Sequence, residues 1–239
     1  MGRHFEVRAA AMAGTAKKKS ALYMRASKEI FVAAKSGVPD PASNLALRSA
    51  IDKFKGQGVP KDVIERAVSK AAGNDDQTAY ISGRYEAMGP GGSMIVVDTL
   101  TDNVNRAYVE IKTVITKRGG HLASVVFNFT ETGVFIIQGL DPSQVEETLI
   151  LNDIDVWDVS SDEDGVIQIS VAPTEFGSTR DQLQALGVEE FIMAEIRLIA
   201  NDQVVVEDEE DLRKLKEMLE LLDELQDVQA VYHNVTLSE

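Results

Sequence analysis

Lys17, Lys18 and Lys19 stand together, and Arg25 and Lys28 follow at spacings that put positions 18, 25 and 28 on roughly one face of a helix. Such a face suits contact with a phosphate backbone, and a solvated helix face has the same composition. Arg84, Arg106, Lys117 and Arg118 are most of the cations in an otherwise acid-rich middle region. Tyr85 adjoins Arg84 and suits stacking on a base. Lys117 and Arg118 equally suit a helix C-terminus. Asn103, Asn105 and Arg106 belong to the run NVNR at the start of a predicted helix, which Asn103 can cap. A cation that close to a helix N-terminus opposes the dipole, at a cost of about 0.3–1 kcal/mol. Arg106 therefore calls for a partner: Asp102, Glu110 at i+4, or a phosphate held bidentately.

Other chemistry finds no residues to carry it. The 239 residues hold no cysteine, which excludes a disulfide framework, a thiolate zinc site and a cysteine nucleophile. His4, His121 and His233 are far apart, and none has a histidine at i+4. Neither a G-x-S-x-G elbow nor a G-x-x-x-x-G-K-[ST] loop occurs. The glycine-rich run GPGGS, Gly89 to Ser93, precedes a strand rather than a helix, so it reads as a tight turn. Ser160 to Gly165 lacks acids at the first and twelfth positions of a calcium loop and reads as a hairpin turn. EDEED, Glu207 to Asp211, complements a helix N-terminus. The expectation is no enzyme, no metal and no cofactor.

Charge divides along the chain. Residues 1–75 carry 14 Lys and Arg against 7 Asp and Glu, a balance of +7. Residues 76–239 carry 10 against 32, a balance of −22, and together these give −15. A basic lobe on an acidic body attracts polyanions to one end and repels them from the other. No apolar run approaches the roughly 18 residues of a membrane span, and Glu6 and Arg8 interrupt any signal-peptide core. No membrane partner and a cytoplasmic location are expected.

The elements that must position these residues are legible from period and punctuation. Leu22, Ala26, Ile30 and Ala33 predict a helix from about Lys17 to Ser36, broken by Gly37, Pro39 and Pro41. Leu47, Ala50, Ile51 and Phe54 predict a second, and Val63, Ile64, Ala67, Val68 and Ala71 a third, closed by Gly73. Ser93 to Leu100 reads as a strand, followed by a helix through Ile111 and Ile115 and a short strand region between His121 and Phe129. Gly133–Gln138, a helix from Pro142, Ile154–Val159, Gly165–Val171, a helix over Glu175–Leu186 and Phe191–Ile199 spell β-α-β-β-α-β. The leucine stripe 212, 215, 219, 222 and the strand Val228–Val235 supply one more helix and strand, which the middle region lacks. The expected fold is α+β: an N-terminal three-helix domain (1–76), then two ferredoxin-like domains. One of these is discontinuous (77–130 with 203–239) and carries the other, acidic one as an insert (131–202). The alternative leaves the last helix free to dimerise.

Several unrelated motifs occur in an order that resembles one family. They are the helical stretch Pro39 to Gly73, RYEAMGPGGS (Arg84 to Ser93), LTDNVNR (Leu100 to Arg106), KRGGHL (Lys117 to Leu122) and the late VQAVYHNV. The chain resembles the YebC/PmpR family, bacterial transcriptional regulatory proteins related to the mitochondrial translational activator of cytochrome oxidase subunit one. The opening MGR and EIFVAAKSGVPDP resemble its YeeN-like branch. The resemblance implies a helical domain plus two α/β domains, and a nucleic-acid-binding regulator of gene expression. Members are described as DNA-binding regulators of transcription. Others are described as ribosome-associated translation factors that relieve stalls such as those at proline runs. The partner is thus DNA or the ribosome and its RNA. Two departures stand out: HFEVRAA replaces a K-W-A-N-I-like opening, and the segment after Gly119-Gly120 is about three residues short. The candidate nucleic-acid-binding residues are Lys17, Lys18, Lys19, Arg25, Lys28, Arg84, Tyr85, Asn103, Asn105, Arg106, Lys117 and Arg118. A ligand-sensing regulator built on paired ferredoxin-like domains is a third reading.

Overall fold

The computed structural model describes residues 16–73 and 79–237. Three helices open it: α1 (Ala16–Lys35), α2 (Leu45–Gly56) and α3 (Lys61–Ala72). Ala26, Ile30, Phe31 and Ala34 line one side of α1 and meet Leu47, Ala50, Ile51 and Phe54 of α2 and Ile64, Ala67 and Ala71 of α3. Asn44 fixes the first corner. Its Oδ1 accepts from the N–H of Leu47 as an N-cap, and its Nδ2 donates to the carbonyls of Ala33 and Val38.

The first sheet follows. β1 (Ile81–Met88) and β2 (Met94–Thr101) form an antiparallel hairpin, then come α4 (Val104–Lys117) and the two-residue β3 (His121–Leu122). GPGGS closes the hairpin through Gly89 N–H to Ser93 C=O at 2.7 Å and Ser93 N–H to Pro90 C=O at 3.2 Å. Gly91 takes φ 63°, and a β-carbon there would lie 2.5 Å from Val206 Cγ1, so glycine is needed on both counts. The chain then builds the second sheet: β4 (Phe129–Gln138), α5 (Pro142–Leu151), β5 (Val156–Ser161), β6 (Val166–Val171), α6 (Phe176–Ala185) and β7 (Met193–Ala200). It returns to the first sheet with α7 (Glu209–Glu224) and β8 (Val228–His233), which pairs antiparallel with β2. Two four-stranded antiparallel sheets result, ordered β3-β1-β2-β8 and β5-β6-β4-β7.

The architecture is α+β, with seven helices among the described residues. The second sheet has the ferredoxin-like chain order β-α-β-β-α-β. The first reaches the equivalent four-strand arrangement by β-β-α-β and, after the second sheet, α-β. Sequence reading missed β1 because Arg84, Tyr85 and Glu86 break its apolar pattern, and it began β4 at Gly133. The strand starts at Phe129, where Phe129 to Thr132 already pair with Arg197 to Ala200.

Each sheet buries one face under its own two helices. Phe135, Ile137, Ile167 and Ile169 pack with Val145, Leu149 and Leu183 over a Phe135–Phe176 stack at 4.7 Å. Ile95, Val97 and Val228 pack with Ile111, Ile115, Leu215, Met218 and Leu222. Each such side chain contributes about 1.5–3 kcal/mol on burial, so both sheets hold their helices firmly. Val96, Val125, Phe129, Leu198 and Ala200 form a further cluster where the two sheets meet. The buried Arg180 of α6 reaches across to Ser49 Oγ (3.2 Å) and Asp52 (3.8 Å) of α2. No described helix is long and apolar enough to cross a membrane.

Candidate nucleic-acid interface

The candidate residues divide by what already holds them. Lys19 is exposed at the start of α1. The side chains of Lys17 and Lys18 lie outside the described residues. Arg25 and Lys28 face the first sheet instead of continuing a cationic stripe. Arg25 Nε donates to Val228 C=O at 3.0 Å, and its Nη2 meets the Asp223 carboxylate at 2.9 Å and the Asp223 carbonyl. Lys28 Nζ donates to Asp227 Oδ1 (2.8 Å), Gln226 C=O (2.7 Å) and Leu100 C=O (3.4 Å). The end of α7 and the turn into β8 offer most of these acceptors, with Leu100 of β2 beside them, and α1 docks there with the side that carries Arg25 and Lys28.

Asp227 is the centre of this contact. Its side chain is 1% exposed and accepts from Lys28 and from Arg106 Nε (2.9 Å) and Nη2 (2.7 Å). Arg106 Nη2 also donates to Asp102 Oδ1 at 2.7 Å. Asp102 is thus one partner anticipated from spacing, and the larger one lies 121 residues away. Burial pushes the Asp227 carboxyl up, yet the hydrogen bonds from Lys28, Arg106 and Thr101 outweigh it and hold the carboxyl below its ordinary value. Hydrogen bonds donated to Asp227 and Asp102 hold Arg106 more firmly protonated. The cation near the N-terminus of α4 is therefore compensated within the molecule. Asn103 caps α4 by accepting from the Arg106 N–H at 3.0 Å, and Asn105 is exposed beside it.

The remaining candidates follow the same division. Arg84 and Asp98 are directly opposed on β1 and β2 and form a bidentate pair at 2.6 and 2.9 Å, with Glu131 at 3.6 Å. Tyr85 turns to the helix side of the sheet and packs on Tyr108 of α4 at 6.2 Å, so its ring is not presented edge-free to a base. Arg118 pairs with Glu217 of α7 at 3.0 Å, while Lys117 is exposed at the end of α4. The shortened segment after Gly120 is fixed by Glu86, whose carboxylate accepts from the N–H groups of Val125 (2.6 Å) and Val126 (2.7 Å). The backbone bond from Val126 leads in holding the Glu86 carboxyl below its ordinary value.

The carboxylates that engage the cations, Asp98, Asp223, Asp227 and Glu217, were not singled out in the sequence. Three of the four lie in the C-terminal segment, and only the pairing of β8 with β2 brings them near α1 and α4. A phosphate reaching Arg25, Lys28 or Arg106 must displace Asp223 or Asp227; Lys19, Asn105 and Lys117 are exposed. Among the described residues no group of three or more His, Asp or Glu is placed to hold a metal ion. A cleft between α1, α2 and β7 is lined by Glu29, Lys53 and Glu195, but Lys53 Nζ already meets Glu29 at 3.0 Å and Glu195 at 3.7 Å.

Residues 80–235 match the family model described as TACO1/YebC second and third domain, and residues 3–74 that of the TACO1/YebC protein N-terminal domain. The chain is 48% identical over 239 residues to a "probable transcriptional regulatory protein" of Mesoplasma florum, covering 99% of this chain and 100% of that one. It is 44% identical, with the same coverage, to a protein of the same description from Mycoplasma capricolum. The fold is similar to the crystal structure of a conserved hypothetical protein from Aquifex aeolicus, with TM-score 0.77, 31% identity, and 93% and 92% of the two chains covered. With the order of motifs, the two-sheet fold and matches over nearly the whole length in agreement, the chain belongs to the TACO1/YebC family.

Proposed function

We propose that the protein is a non-enzymatic, DNA-binding regulator of transcription that contacts the phosphate backbone through the start of its helical domain. The names of its relatives support a regulatory role. The observation that carries the nucleic-acid reading is the segregation of charge. Residues 16–73 hold 12 Lys and Arg against 5 Asp and Glu, whereas residues 119–212 hold 2 against 21. A polyanion is steered to the first region and repelled by the second.

Lys17, Lys18 and Lys19 make the first phosphate contacts in this reading, with Lys117 and Asn105 as further polar groups on the discontinuous domain. Arg25 and Lys28 act behind them by holding the helical domain on the first sheet, Arg84 pairs within that sheet and reaches Glu131, and Arg106 and Arg118 brace its helices and turn. The working division is 1–76, 77–130 with 203–239, and 131–202. Backbone contact without a base-reading element gives binding of modest sequence preference and strong salt dependence. Crosslinking the protein in growing cells and sequencing the bound nucleic acid tests the target. Discrete genomic DNA peaks support the proposal, and recovery of ribosomal RNA alone would transfer the same surface to the ribosome.

A further inference from the structure

The helical domain has a core of its own: every buried member of its apolar cluster comes from residues 26–71. The two sheets, by contrast, share a cluster that joins Val96 of β2 to Phe129 of β4 and Leu198 of β7. The ties from the helical domain to the sheets are ionic. Arg25 meets Asp223 and Lys28 meets Asp227 on one side, while Lys53 meets Glu195 and Arg180 meets Asp52 on the other. Val32 and Ala33 of α1 and Leu100 and Ile196 of the sheets line a cleft of about 460 Å³ instead of closing on one another. A domain with a separate core and a polar seam is free to move relative to its neighbours, whereas a large apolar seam would hold it.

Buried polar groups also go unpaired at this seam. The Arg180 side chain is 1% exposed, and its Nε has no hydrogen-bond partner among the described residues. The same holds for both amide atoms of Gln229, which follows the Val228 carbonyl that takes Arg25. Polar groups buried without partners oppose the docked arrangement. Release, in turn, leaves no buried carboxylate alone. Arg106 keeps Asp227 paired when Lys28 departs, and the Asp223 side chain is partly exposed to water.

We propose that the docked helical domain is a self-inhibited state. The end of α7 and the turn into β8 stand in for phosphates on Arg25 and Lys28, and release of the domain hands both cations to a polyanion. A phosphate offers a cation the same charge-assisted hydrogen bonds as a carboxylate. Arg25 and Lys28 lie about 9 and 14 Å along the axis of α1 from Lys19, so a polyanion held at the lysine run brings further phosphates beside them. The inference rests on the nucleic-acid reading for its ligand, and on the seam alone for the release.

The chain has no cysteine, so two can be introduced for labelling. Ser69→Cys on α3 and Glu220→Cys on α7, both exposed, carry a donor and an acceptor dye in the full-length protein. Energy transfer should fall when Asp223→Asn removes one carboxylate of the seam, and when salt is raised to about 1 M and screens the ion pairs. At fixed salt, Asp223→Asn should bind duplex DNA at least about threefold more tightly, because a ligand of the released state gains as that state is populated. Glu209→Gln removes the same charge from the exposed start of α7 and should change neither reading. Transfer that is unchanged both in Asp223→Asn and at high salt overturns the proposal, since the domain then does not release. So does lowered transfer with no gain in DNA affinity, because the acids would not compete with phosphate. An equal gain in Glu209→Gln would assign the effect to net charge and overturn it as well. Lowered transfer in Asp223→Asn with no DNA binding by parent or variant overturns the nucleic-acid reading and supports the release, which keeps the two failures apart.

Discussion

Removing the Asp227 carboxylate should loosen the helical domain from the first sheet. Asp227→Ala leaves Arg106 and Lys28 without their shared acceptor in a site that is 1% exposed on the Asp227 side. Breaking one side of a fully buried ion pair costs about 3–5 kcal/mol. Here the Arg106 side chain is 32% exposed and that of Lys28 13%, so water recovers part of the loss. An expected destabilisation of about 2–3 kcal/mol follows. For a chain of this length that lowers Tm by about 4–12 °C, measured by calorimetry or circular dichroism at pH 7. The double variant Asp227→Ala with Arg106→Ala should lose less than the sum of the two singles, because the same interaction is removed twice. The pH dependence has a definite sign. The folded carboxyl titrates below its ordinary value, so its contribution is complete above about pH 4 and disappears as pH falls through the lower folded value. A Tm within about 1 °C of the parent for Asp227→Ala would refute the reasoning. So would an unchanged Tm for Arg106→Ala, which would return that guanidinium to ligand binding.

Two other substitutions probe the parts around this contact. Glu86→Ala orphans the N–H groups of Val125 and Val126 and should cost about 1–3 kcal/mol by urea unfolding, with backbone exchange rising at residues 123–128; unchanged exchange would contradict it. His233 accepts from the Val235 N–H, and desolvation pushes its pKa down. Its contribution is therefore complete above about pH 6.5 and is lost as pH falls through the lower folded value. His233→Gln should flatten the stability profile between about pH 7.5 and 5, and an identical slope would remove His233 as its source.

The helices and the second sheet were readable because their signals are local: Ile30 and Phe54 recur at helical period, and Ile167 and Ile169 alternate. Asp141 before Pro142 and Asp208 before Glu209 announce helices where the structure starts them. β1 was not readable, because Arg84 and Glu86 face an ion pair and a backbone loop rather than solvent, and only the tertiary fold supplies those partners. The partners that hold several of the candidate cations were hidden for the same reason. A lysine or arginine looks identical whether it awaits a phosphate or meets Asp227, in a turn 199 residues from Lys28. Local pattern placed Arg25, Lys28 and Arg106 on the right helices, and the long-range pairing of β8 decided which way they turn.

In the proposed function, the lysine run at the start of α1 contacts a phosphate backbone. Its most direct measurement is the salt dependence of duplex DNA binding for the parent protein and for the variant with Lys17, Lys18 and Lys19 all replaced by Gln. Each phosphate contact contributes about −0.9 to the log-log slope. The parent slope should become shallower by roughly 2–3 in the variant, with weaker binding to every sequence tested. An unchanged slope in the variant would make the lysine run a solvated helix face with no part in phosphate binding.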